Sequence, residues 1–95
     1  MIYKCLLKLL DLELINADLY YSKAIKYKEE NSSIATLINE MASNKLAHYE
    51  KLFNAIHNVI EKEENEEIKM LWKYERLRLT EKYDELKYKI SKFSI

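Results

Sequence analysis

Glycine and proline are both absent from this 95-residue sequence, and cysteine occurs once, as Cys5. Each absence excludes something. Tight strand turns draw on glycine, proline and residues that tolerate positive φ, so a sheet-rich fold is disfavoured. There is no glycine- or proline-rich linker to divide the chain, which predicts one helical domain over residues 1–95. A phosphate-cradling loop cannot be built without glycine, and no oxyanion-hole motif is present. One cysteine gives neither a disulfide framework nor a thiolate metal cluster, and Cys5, read as a buried thiol, fits a reducing compartment. Cys5 lies near the terminus, so nucleophilic catalysis has no support and any enzyme here would be metal-dependent.

Net charge is also missing. Sixteen basic and sixteen acidic residues cancel, which removes the electrostatic attraction behind most non-specific nucleic-acid binding and predicts no nucleic-acid partner. The acidic run Glu61 to Glu67 and the more basic stretch Lys69 to Lys92 read as solvated helix faces. The apolar N-terminal run is broken by Lys4, Lys8 and Asp11, too early for a signal peptide or a membrane span. The expectation is a protein that does not cross a membrane and is not secreted by a signal peptide.

What remains is helical. The composition is 48% hydrophobic and 34% charged, rich in Leu, Ile, Lys and Glu as in long-helix proteins. Ile2, Leu6, Leu9, Glu13, Asn16 or Ala17, Tyr20, Ala24 and Tyr27 recur at steps of three and four. Ile34, Ile38, Met41, Lys45, His48, Leu52, Ile56 and Val59 repeat the pattern, as do Ile68, Trp72, Glu75, Leu79, Tyr83, Leu86, Ile90 and Phe93. Glu30-Asn31-Ser32-Ser33 supplies helix-capping residues, and Asn65 followed by Glu66 and Glu67 suits a second helix start. Helices over about 2–30, 33–63 and 66–93 follow, each roughly 40 Å long at 1.5 Å per residue. The predicted fold is an all-α, up-down-up bundle of three long antiparallel helices.

A second apolar flank, including Leu10, Leu14, Leu19, Leu46, Phe53 and Leu77, exceeds what one seam needs and predicts self-association into a homo-oligomer. The repeating stripes also carry ionisable residues: Glu13, then Lys45 and His48, then Glu75. Buried charge is costly unless paired or bound to metal, so these positions are where chemistry is sought. Pairing across the 31–33 turn joins residues whose numbers sum to the low sixties, setting Glu13 opposite His48 and Lys45 beside Asn16 and Ala17. Glu75 is expected within one or two helical turns of that level. His57, off the stripe, reads as a boundary histidine, and the tyrosines as flanking rings whose hydroxyls reach water.

Glu13-Leu-Ile-Asn-Ala17-Asp-Leu-Tyr20 and Met41-Ala-Ser-Asn-Lys45-Leu-Ala-His48 resemble the ferritin-like, rubrerythrin-type superfamily of helical bundles over residues 5 to 60. In that superfamily a Glu on one helix and Glu-x-x-His on its hairpin partner form half of a di-iron site. The third helix, with Leu71-Trp72-Lys73-Tyr74-Glu75, is similar to small uncharacterised ferritin-like proteins of bacteriophages and prophages. Lys45 stands where the bridging Glu would be, and Arg76 where those proteins often have His. An ammonium has no lone pair for a metal. The resemblance therefore implies a degenerate site with Glu13, His48 and Glu75 as the candidate ligands. Lys45 supplies in place the positive charge of a metal, giving a polar core of Glu13, Lys45 and His48 that fixes register.

These readings, with the phage-like resemblance, predict a non-enzymatic helical interaction and assembly protein, phage-derived, that self-associates and binds a protein partner in host cytoplasm or within a virion. They predict no catalytic residues and no cofactor. The alternatives are an iron- or other divalent-metal-binding protein with a reduced site shared between subunits, and a phage inhibitor of a host defence system.

Overall fold

The computed structural model describes residues 2–93, which form three helices: α1 (Ile2–Tyr27), α2 (Ser32–Glu61) and α3 (Glu66–Ser91). Among the described residues there is no strand. The helices pack into a rod measuring 53 × 19 × 16 Å. The chain doubles back at each turn, so that Glu13 of α1 meets His48 of α2 and Glu50 of α2 meets Tyr83 of α3.

Helix ends are set by local hydrogen bonding. At the first turn the Asn31 side chain accepts from the Ile34 N–H at 3.1 Å, satisfying one of the orphan donors of a new helix. The Asn31 N–H itself donates to the Tyr27 carbonyl at 2.9 Å. Lys28–Glu30 thereby become the turn, and α1 stops short of residue 30. The second turn is organised by Glu63, whose carboxylate accepts from the Glu64 and Asn65 N–H groups at 3.1 and 3.2 Å and from the Tyr3 hydroxyl at 2.8 Å. α2 therefore ends at Glu61 and not at residue 63. Asn65 then caps α3, accepting from Glu67 and Ile68, with Glu66 and Glu67 complementing the first-turn dipole.

The three interfaces differ in thickness. α1 and α2 form the closest pair, with α3 further from both. Ala17, Ala24, Ala35 and Ala42 are fully buried between the first two helices, and side chains that small let two backbones approach. α3 meets the hairpin through larger groups, Trp72, Leu79, Leu86 and Ile90, which pack with Leu7, Leu10, Leu14, Leu46, Tyr49, Ile56 and Ile60. At the far end Phe93 packs with Ala24 and Ala35. There the Lys28 ammonium donates to the Phe93 carbonyl at 2.6 Å and the Asn39 amide to the Ile90 carbonyl at 3.2 Å, closing the carbonyl-rich end of α3.

One expectation is corrected. On α3 the expected line holds, with Trp72, Leu79, Leu86, Ile90 and Phe93 buried. On α1 and α2 the expected Ala17, Ala24 and Ile56 are buried, but otherwise the buried line is the neighbouring one. Leu7, Leu10, Leu14 and Ala17 are buried while Ile2 and Leu9 are exposed; Ala42, Leu46 and Tyr49 are buried while Met41 and His48 are exposed. The flank read as surplus is thus largely the core, although Leu19 and Leu77 remain exposed and Phe53 half-buried. The reason is desolvation: the line through Leu7, Leu10 and Leu14 carries no charge, whereas the line through Leu9 also carries Glu13. Cys5 is exposed, so the inference drawn from a buried thiol does not hold.

Candidate functional site

None of the four ionisable residues on the expected core line is buried; Glu13, Lys45 and Glu75 are half-buried and His48 is exposed. Glu13 and His48 do meet across the hairpin, with Nδ1 of His48 3.9 Å from Oε2 of Glu13. That is beyond hydrogen-bond length. Oε2 is enclosed and has no hydrogen-bond partner, while 59% of the His48 side chain is open. Lys45, one helical turn before His48, takes part in no ion pair among the described residues.

Glu75 is held elsewhere. Arg78 sits three residues along α3, and its guanidinium donates to the Glu75 carboxylate and, through a two-pronged bond at 2.9 Å on each oxygen, to Asp11 of α1. Charge-assisted bonds of this fork geometry are the strong kind. The Arg78 hydrogen bonds hold the Asp11 carboxyl below the usual carboxylate range. Asp11 and Glu13 are neighbours in sequence, yet two residues on a helix are about 200° apart at 100° per residue. Arg78 therefore draws Glu75 to the flank of α1 opposite Glu13, where α1 and α3 face each other through Asp11, Leu14, Asp18, Lys82 and Leu86.

A ligand set needs several donors converging on one point. Among the described residues no group of three or more His, Cys, Asp and Glu side chains does so. Glu13, His48 and Glu75 are not gathered, Glu75 is engaged by Arg78, and an ammonium lies one turn from His48. The residues of one chain do not fit a di-iron centre.

The structure adds contacts that the periodicity did not single out. The Trp72 indole donates to Nδ1 of His57 at 3.0 Å, leaving Nε2 as the N–H that faces Glu61 at 3.3 Å. His57 is thus a boundary residue, as expected, but one that ties α2 to α3. The Tyr49 ring stacks on Tyr83 at 5.1 Å and lies against Phe53 at 5.7 Å, and Phe53 leads on to Trp72. The Tyr49 hydroxyl is buried without a partner, so burial pushes its ionisation upward. Tyr83 shifts the same way, through burial and its hydrogen bond to Glu50. The sequence signal for Arg78 was the i,i+3 spacing from Glu75, a standard helix-surface pairing.

The Glu13–His48 pair lies at the centre of an open side of the hairpin. Ile2, Leu9 and Leu12 of α1 and Ile34, Met41 and Val59 of α2 are exposed by 39% to 68%, and half-buried Leu6, Tyr20, Ile38, Lys45 and Leu52 lie between them. At 100° per residue these positions lie on the side turned from α3. No helix among the described residues is long and apolar enough to cross a membrane. No protein-family model matches the chain, and neither the curated proteins nor the solved structures compared with it give a match.

Proposed function

We propose that this protein is a non-enzymatic, self-associating helical assembly protein, and that its open α1/α2 side is the surface on which it assembles. The observation that carries this is the run of exposed large apolar residues along both helices, from Ile2 to Leu12 and from Ile34 to Val59. Apolar stretches of that length on either side of a central Glu13, Lys45 and His48 mark an interaction surface in a small protein. A side 53 Å long and 16 to 19 Å wide matches the ~800 Å² that each partner contributes to a standard interface.

The ferritin-like resemblance supports descent from an up-down-up metal-binding bundle, with Lys45 in the place of the bridging carboxylate and the ligand set reduced to Glu13 and His48. The phage-derived origin rests on the similarity around Trp72 and Glu75. A partner of a different kind is supported by α3, whose outer side exposes Met70, Tyr74, Leu77 and Tyr88.

Sedimentation of the wild type and of Leu9→Glu and Met41→Glu tests the proposal. Both substitutions put a carboxylate on the open side without touching the core. The expected result is a wild-type oligomer and monomeric, fully helical variants. A wild type that stays monodisperse and monomeric at hundreds of micromolar overturns it. The metal-sharing alternative, favoured by the approach of Glu13 to His48, predicts stoichiometric iron or zinc that His48→Ala removes. Substoichiometric metal after iron loading eliminates it.

A further inference from the structure

We propose that the second copy docks with its two-fold axis running along the bundle, so that α1 of each copy lies on α2 of the other and Glu13 meets the second copy's Lys45 and His48. This rests on the self-association reading and adds the arrangement that reading leaves open.

At its centre the open side carries an acid on α1, Glu13, and on α2 carries Lys45 and His48 one turn apart. All three stand near the middle of their helices, since α1 spans Ile2–Tyr27 and α2 spans Ser32–Glu61. Two symmetric arrangements cover the side fully. With the axis across the helices, α1 lies on α1 and α2 on α2, which sets Glu13 against Glu13 and Lys45 against Lys45. With the axis along the bundle, α1 lies on the other copy's α2, running in the opposite sense, and every level of the rod is kept. Residues that face each other within the hairpin, such as Glu13 and His48, then face each other between copies too. The first arrangement brings like charges together in an apolar seam and the second brings opposite charges together, so the central charges select the second.

The state of these groups in one chain fits this role. Oε2 of Glu13 is enclosed without a hydrogen-bond donor, His48 stands 3.9 Å away with most of its side chain open, and Lys45 has no ion-pair partner among the described residues. An acid short of a donor and two donors short of an acceptor are what an isologous contact of this kind completes. The apolar residues on either side, Leu9 and Met41 among them, exclude water from the pair and strengthen it.

A charge-swap experiment tests the arrangement. Glu13→Lys and Lys45→Glu are made separately, checked for helicity, and analysed alone and mixed by native mass spectrometry. Each variant alone is expected to lose self-association by about tenfold or more, because each homodimer repeats the mismatch twice. The equimolar mixture is expected to form a heterodimer with wild-type strength, since the reversed charges are complementary only between copies. Variants that dimerise normally alone, or that are weakened and not rescued by mixing, overturn the arrangement while leaving self-association standing. A monomeric wild type overturns both. Because the mixed pair is also charge-matched with α1 on α1, oxidative cross-linking separates the two arrangements, and it reads the geometry even if a charge reversal unfolds the chain. In a Cys5→Ser background, Ile2→Cys mixed with Val59→Cys is expected to give the heterodisulfide. Absence of that product in a dimeric protein overturns the arrangement.

Discussion

The two sides of the α1/α2 hairpin are built from adjacent apolar lines and meet opposite fates. The line through Leu7, Leu10, Leu14 and Ala17 is covered by α3 and is almost wholly shielded from water. The line through Ile2, Leu9 and Glu13 is left open, together with Ile34, Met41, His48 and Val59 of α2. Charge separates them. A covering helix gains apolar burial on the first side and would have to desolvate Glu13 and Lys45 on the second. In the proposed dimer a second copy would bear the same cost but bring opposite charges with it.

The contrast is broken most forcefully from the covered side. Leu79 is fully shielded, so Leu79→Ala is expected to cost ~2–5 kcal/mol in chemical denaturation. Leu9→Ala, on the open side, should change the stability of the isolated chain by less than ~0.5 kcal/mol while weakening self-association. Equal costs at the two positions would erase the distinction between the sides.

Smaller effects sharpen the picture around α3. Arg78→Met removes the clamp on Asp11 and Glu75 at partly solvated positions, and a loss of ~0.2–1 kcal/mol near neutral pH is expected. The sign with pH follows from Asp11, whose carboxyl is held low by Arg78. That contribution is present above the unfolded value of about 4 and disappears as pH falls through the folded value. The gap between wild type and Arg78→Met should therefore close on acidification, and a gap that widens would rule out the clamp. Smallest is Tyr49→Phe, which deletes a buried hydroxyl that has no partner. Stability at neutral pH should hold or rise slightly. Because burial raises the Tyr49 ionisation, the unfolded chain ionises first and the wild type loses stability as pH rises above about 10. The variant should therefore lose less stability than the wild type in alkaline solution.

Much of the fold was legible from residue types. The capping groups Asn31 and Asn65 act as expected, because an Asx side chain that takes a helix N–H is a local event. The hairpin register was legible too, since a short turn fixes which residues share a level, and Glu13 duly meets His48. The choice between adjacent lines was not. Leu6 and Leu7, or Leu9 and Leu10, are about 100° apart, and both lines keep helical spacing, so period alone cannot say which one faces inward. Deciding between them takes the fully buried Ala35 and Ala42, which allow close approach along one line, and the charges that disfavour the other. Glu75 lies on the flank away from Glu13 and His48, because Arg78 draws it toward Asp11.

The most direct test of the central claim is the mass of the native protein over a range of concentrations. The account predicts a species at twice the 11.5 kDa chain mass, lost in Leu9→Glu with helicity retained. A monomer at every concentration, with Leu9→Glu indistinguishable from wild type, would contradict it.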